Sequence, residues 1–242
     1  MLIDFNCRLF DINKFKFIAA PTSDQISLEI DKIRTDLSNL ALCGFHTFYC
    51  PIRHNENFSV TYTCKKIAHA KKIYANAIPK GCGKISVRFI PKLYLSQDEP
   101  FIKNISSLTI KGTNYILLEL PFTIHQNYVP EALNKILYNC NLSPIFSDFH
   151  MALKLYPFSE IEKMIRIKNA MFQFNIKSLP DPDVIKIIRK ITSNGNIVLF
   201  GTNCDHFSLN IKEMSNIIEV FRSKISDTTY RNIVISAKKQ FI

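Results

Sequence analysis

A closed α/β barrel of seven parallel strands is the fold this sequence predicts, and three observations predict it. Short apolar runs alternate with longer stretches of helical spacing along the chain, as repeated βα units do. Runs such as Tyr115–Leu120 and Ile197–Phe200 are apolar at nearly every position, which suits strands buried on both faces. The length of 242 residues is common for one barrel of βα repeats. An open doubly wound sheet is the second choice, and residues 1–242 read as a single domain. Hydrophobic residues are 47% of the chain, enough for an ordinary core, and charged residues are 21%, too few for a disordered chain.

The first strand is Leu2–Asn6. A helix from Ser23 to Cys43 follows, with Thr22 and Gln25 at capping-box spacing and Gly44 as its stop. Its apolar face is Ile26, Ile30, Ile33, Leu37, Leu40 and Ala41. The second strand is Phe45–Cys50. Pro51–Val60 reads as a mobile surface loop ahead of a helical stretch over Thr61–Ala77. The third and fourth strands are Ile85–Ile90 and Tyr115–Leu120. Pro130 opens a short helix reaching Tyr138, and Pro144–Ser147 is the fifth strand. Ser159 and Glu162 form a second capping box, for a helix that reaches Ile167. The sixth strand is Met171–Ile176. Pro182 opens a helix ending near Ser193, before Gly195, and Ile197–Phe200 is the seventh strand. Helices over Ile211–Lys224 and Asp227–Lys238 complete the pattern.

Lys and Arg outnumber Asp and Glu by 31 to 20, a formal net charge of +11. Such an excess favours a polyanionic partner: RNA, DNA or an acidic protein surface. The seven cysteines are Cys7, Cys43, Cys50, Cys64, Cys82, Cys140 and Cys204. They are odd in number, form no CxxC pair and sit mostly in apolar stretches. No basic region followed by a long apolar run opens the chain. These features predict buried thiols in a reducing, intracellular compartment. No apolar run approaches the roughly eighteen residues of a membrane span.

In a parallel barrel, reactive groups gather at the C-terminal ends of the strands. Those positions hold Asn6, Cys7 and Arg8; Cys50, Pro51, Ile52, Arg53 and His54; Pro91 and Lys92; Asp148 and His150; and Thr202, Cys204, Asp205 and His206. A hydrolytic metal centre needs several imidazoles and carboxylates converging there. Only Asp148, His150, Cys204, Asp205 and His206 qualify, while Asn6, Arg8, Arg53 and Lys92 occupy much of the rim. Neither a metal site, a catalytic residue nor a cofactor is expected. Walker A, GxGxxG, GxSxG and HExxH motifs do not occur. Gly81-Cys82-Gly83 reads as a turn before the third strand.

The basic residues say more. Lys65, Lys66, Lys71 and Lys72 share one helical stretch, interleaved with Tyr62 and Tyr74. Arg53, His54, His69, Lys80, Lys84, Arg88 and Lys92 add to this region, and Arg222, Lys224, Arg231, Lys238 and Lys239 form a second basic group. Clustered cations bind phosphate backbones through counterion release, and exposed tyrosines stack on unpaired bases. The candidate RNA-contacting set is Arg53, Lys65, Lys66, Lys71, Lys72, Arg88 and Lys92. The competing reading is a solvated helix face with tyrosines in the core.

Several segments, in order, resemble the PHP-like barrel subunit shared by ribonuclease P and ribonuclease MRP. Met1-Leu2-Ile3-Asp4-Phe5-Asn6 is similar to its opening strand, and Leu42-Cys43-Gly44-Phe45 to its join from helix to second strand. Lys84-Ile85-Ser86-Val87-Arg88-Phe89-Ile90 resembles its third strand, including an arginine where Arg88 stands. Asn141–Asp148, Asn196-Ile197-Val198-Leu199-Phe200 and the run from Ser226 through Ala237 resemble its fifth-strand region, seventh strand and closing helix. The resemblance implies a seven-stranded (βα) barrel of the PHP type with no catalytic residues of its own. It further implies a scaffold for the catalytic RNA in precursor-tRNA 5′ maturation, extending to ribosomal RNA processing through the MRP particle. The implied partners are catalytic RNA, precursor tRNA and other protein subunits of the particle, including a small α/β subunit, and the family's barrel can occur in two copies per particle. No membrane is involved, and the implied location in a eukaryote is the nucleus and nucleolus.

The sequence departs from that family at Gly201-Thr202-Asn203, at Lys212-Glu213-Met214, at Gln173 where an acidic residue is common, and in lacking a short basic tail. It therefore reads as a divergent member. The alternative is a PHP-type metal-dependent phosphoesterase, or its inactive relative acting as a protein–protein adaptor. The catalytic group carries a His-x-His motif after the first strand; here Asn6 and Arg8 stand there. Lys92 replaces an acidic ligand, and Thr202 and Cys204 replace an Asp-x-His pair.

Overall fold

The computed structural model describes residues 2–9, 23–54, 59–78, 85–95, 105–122, 128–203 and 211–241. Seven parallel strands close into one barrel in chain order: β1 (Leu2–Asp4), β2 (Phe45–His54), β3 (Ser86–Tyr94), β4 (Tyr115–Glu119), β5 (Ser143–Ser147), β6 (Met171–Asn175) and β7 (Ile197–Gly201). The first two strands pair, with Leu2 beside Phe45 and Asp4 beside Phe48. Asp4 also aligns with Phe200, which closes the ring and sets aside the open sheet.

The helices are α1 (Ser23–Leu42), α2 (Val60–Ile73), α3 (Val129–Asn134), α4 (Phe149–Leu155), α5 (Phe158–Ile165), α6 (Pro182–Ser193), α7 (Ile211–Ile225) and α8 (Asp227–Phe241). In α1, Ile33, Leu37 and Leu40 are fully buried at helical spacing. The helix stops where Gly44 takes φ 91°, a conformation that costs other residues a steric clash. The Thr22 and Gln25 cap lies outside the described residues. Helix α6 begins at Pro182, as its sequence predicts, and the Asp181 side chain caps it by accepting from the Asp183 amide at 2.9 Å.

Four elements differ from expectation. First, β2 runs through His54 and β3 through Tyr94, so Pro51–His54 are strand and not loop. Residues 55–58 lie outside the described residues. Proline is tolerated in both strands because of where its missing N–H would point. The Tyr49 carbonyl accepts from Cys7 on the β1 side, so by alternation Pro51 faces that side too, past the end of the β1 pairing. Likewise Leu95 donates toward β4, so Pro91 faces β4 just before that ladder begins at Lys92. Second, α4 follows β5 directly. At seven residues it is too short for a helical period to stand out. Third, α5 begins one residue before Ser159, on Pro157, whose carbonyl accepts from Glu160 and Ile161. Ser159 therefore makes no cap, and Glu162 pairs with Lys190 on α6 instead. Fourth, the helix after Ser59 ends in a 3₁₀ turn over Tyr74–Ala77, and α3 continues as a π turn over Lys135–Asn139.

Ile3, Phe5, Tyr49, Ile90, Leu117 and Ile145 belong to the cluster that fills the barrel. A larger cluster packs the helices around it. At the N-terminal end of the strands, Phe241 of α8 packs edge-on against Phe5, with ring centroids 4.6 Å apart. Arg88 donates there to the Tyr49 hydroxyl at 3.0 Å and to the Phe241 carbonyl at 3.1 Å. That end is plugged, and the opposite mouth is where a site can form.

Candidate functional site

Asp148 is the hub of the mouth. It follows β5 with φ 52°, left-handed backbone that a short polar side chain tolerates better than most. Asn6, just past β1, donates its amide to Asp148 Oδ2 at 3.0 Å, and Asn203, just past β7, donates to Oδ1 at 2.7 Å. The Ser147 hydroxyl lies 3.3 Å from Oδ2, and the Arg8 guanidinium lies 3.8 Å from it. Gln173 of β6 accepts from the Asp148 amide at 2.7 Å. Its own amide nitrogen lies against Gly201, where a Cβ would come within 2.3 Å of it.

Beside this hub, Asp4 is fully buried and accepts from the Thr202 hydroxyl at 2.6 Å and from the Thr202 and Asn6 amides at 3.0 Å. Burial pushes its carboxyl up to about 6, against the opposing pull of the Thr202 hydrogen bonds. His150, in the first turn of α4, is held below the usual imidazole range by burial, with Asp148 pulling the other way. Its Nδ1 faces the Asn175 amide at 3.5 Å.

A second group stands on β2, β3 and β4. The ammonium of the buried Lys92 sits 3.2 Å from Glu119 Oε2. Arg53 approaches the same oxygen at 3.4 Å, and its guanidinium lies 4.6 Å from the centre of the Tyr94 ring. The side chains of Arg8 and Arg53 are more than half exposed. Among the described residues three cations thus line the mouth, two of them open to solvent. His54 bonds Thr63 at 2.7 Å and anchors the start of α2.

The residues grouped as RNA contacts fall in three places. Arg53 and Lys92 are at the mouth. Arg88 is at the plugged end, four residues and roughly 13 Å along β3 from Lys92. Lys65, Lys66, Lys71 and Lys72 lie on α2, outside the barrel. The Lys66 ammonium lies 4.9 Å from the centre of the half-buried Tyr62 ring. Tyr74 is buried and stacks on Phe89 at 6.2 Å, so it offers no exposed face. Lys80, Lys84 and Gly81-Cys82-Gly83 lie outside the described residues, as do Cys204, Asp205 and His206. Sequence reasoning did not single out Asp4, Ser147 and Glu119. The signal was present: a lone carboxylate ends each of two otherwise apolar strands.

No family model and no curated protein matches the chain. Among solved structures, the chain is similar to one described as YwqE from Bacillus subtilis and CpsB from Streptococcus pneumoniae, unique metal-dependent tyrosine phosphatases. The TM-score is 0.60 at 14% identity, over 95% of this chain and 90% of that one. The closed seven-stranded barrel with its flanking helices is therefore a PHP-type α/β barrel. The match also corrects the functional expectation. The solved relative is a hydrolase and not a ribonuclease P subunit, so the resemblance keeps its PHP-like barrel and loses the scaffold role in tRNA maturation.

Proposed function

We propose that the chain is a non-hydrolysing relative of the PHP-type phosphoesterases, an adaptor that holds a phosphorylated residue of a protein partner at its barrel mouth. The observation that carries this reading is the Lys92–Glu119 ion pair. A metal centre needs carboxylates and imidazoles with lone pairs to spare. Here Glu119 faces the Lys92 ammonium, Asp148 accepts from the Asn6 and Asn203 amides, and Asp4 accepts from the Thr202 hydroxyl. Among the described residues no cluster of three His, Cys, Asp or Glu is placed to hold an ion. The donors among the described residues do not fit the metal of the phosphatases. Arg8 and Arg53 instead offer exposed guanidinium forks, which suit a phosphate oxyanion. The second reading, metal-dependent phosphoester hydrolysis, is favoured by the similarity to the tyrosine phosphatases.

One experiment separates the two. Calorimetry with phosphotyrosine and phenyl phosphate is run on the full chain and on the Arg8→Ala/Arg53→Ala variant. Metal content and phosphate release are measured in parallel after incubation with manganese and zinc. The adaptor reading expects binding that the double variant weakens by about tenfold, with no stoichiometric metal and no release. Metal-dependent release would replace it with the second reading.

A further inference from the structure

On the flank of the barrel, away from the mouth, α3 and its π turn are separated from α5 by a cleft of about 680 Å³. Part of its lining is apolar: the core residues Val129, Leu133 and Met164 stand at its base, with the half-buried Leu137 and Ile167 beside them. One rim carries Tyr138, placed by the π turn and 79% exposed, the most exposed aromatic among the described residues. The other rim is cationic. Lys163, Arg166 and Lys168 line the cleft against a single carboxylate, Glu160, which Lys163 engages at 2.7 Å. The rim charge is thereby left to Arg166 and Lys168, both exposed.

We propose that this cleft is a docking site for a protein segment that carries an apolar anchor flanked by Asp or Glu. An apolar floor between helical elements accepts side chains of a short amphipathic segment, and an exposed tyrosine supplies contact area at low entropic cost. The charge of the rim selects acidic flanks, because complementary rim charges steer encounter and like charges repel. A single-stranded nucleic acid is a poorer match, since it needs successive rings to stack on, and Tyr138 alone among the described lining residues offers one. The proposal does not rest on phosphate binding at the mouth.

The test uses the full chain. A displayed library of random peptides of about twelve residues is panned on it. Enriched peptides are then synthesised with a fluorophore and titrated against wild type, Arg166→Glu/Lys168→Glu and Tyr138→Ser. All three positions are exposed, so folding should be intact, and circular dichroism and phosphotyrosine binding at the mouth serve as controls. The expected result is enrichment of acidic peptides with Leu, Met or Phe anchors. Their affinity should fall about tenfold in the charge variant and several-fold in Tyr138→Ser. No enrichment, enrichment of peptides without acidic flanks, or equal binding to all three proteins would overturn the proposal. Preferential binding of a single-stranded oligonucleotide that the charge variant abolishes would also overturn it.

Discussion

The ammonium of Lys92 and the carboxylate of Glu119 face each other at 3.2 Å across β3 and β4, with side chains only 7% and 15% exposed. Glu119 Oε2 has no aligned hydrogen bond, so the attraction is Coulombic. Breaking a buried pair costs more than the pair contributes, because the surviving charge is left in a poor solvent. Lys92→Met should therefore destabilise the fold by about 3 kcal/mol, moderated by Arg53 at 3.4 Å from the same oxygen. Adding Glu119→Gln should recover most of the loss. Urea denaturation of the two single variants and the double variant measures the coupling; additive effects would mean that the pair does not interact.

Asp148 is a hub and not a pair, so its loss acts on several strands at once. Asp148→Ala leaves the amides of Asn6 and Asn203 without their acceptor, and both reach it from other strand ends. The expected cost is about 2–4 kcal/mol, and Asp148→Asn should cost less because one oxygen and the φ tolerance remain. Equal unfolding midpoints for the two variants would show that the amides find other partners.

Gly201 is fixed by contact and not by backbone angle. A Cβ there would stand 2.3 Å from Gln173 Nε2 and 2.9 Å from the Asn6 Cβ. Gly201→Ala should cost about 1–3 kcal/mol by overpacking. Gln173→Ala in the same chain opens the space, so the double variant should be less destabilised than the sum of the singles. Thermal melts of the three proteins decide it.

The barrel was legible from strand-to-helix alternation, α1 from its spacing and its Gly44 stop, and α6 from its opening Pro182. The elements missed have specific causes. Pro51 and Pro91 looked like strand ends, yet their missing donors face sides of the strand where no ladder needs them. Helix α4 spans seven residues, too few to show a helical period beside β5. At the site, strand-end inspection found Asn6, Arg8, Lys92, Asp148 and Thr202. It did not show that Glu119 would meet Lys92, because that contact depends on the register between β3 and β4. Arg88 and Lys92 are close in sequence and lie at opposite ends of one strand, a separation that only the closed barrel reveals.

Burial of Asp4 makes stability depend on pH. This residue is wholly buried, and its carboxyl is raised from 3.8 to about 6. The folded state therefore holds this proton more tightly than the unfolded chain does. Stability from this group is greatest below about pH 4 and is lost as pH rises through 6, at roughly 1.4 kcal/mol for each pH unit between those two values. His54 and His150 work the other way: burial lowers both, so protonation as pH falls favours the unfolded chain. The raw pH profile mixes these effects, and the difference between wild type and Asp4→Asn isolates the first. Asparagine keeps an oxygen for the Thr202 amide and can donate to the Thr202 hydroxyl, so the local geometry survives. The stability of Asp4→Asn relative to wild type should improve by about 2–3 kcal/mol between pH 4 and pH 7.5. Urea unfolding of both proteins at four pH values in that range measures it. A flat difference would mean that Asp4 ionises in the folded protein as it does in the unfolded chain.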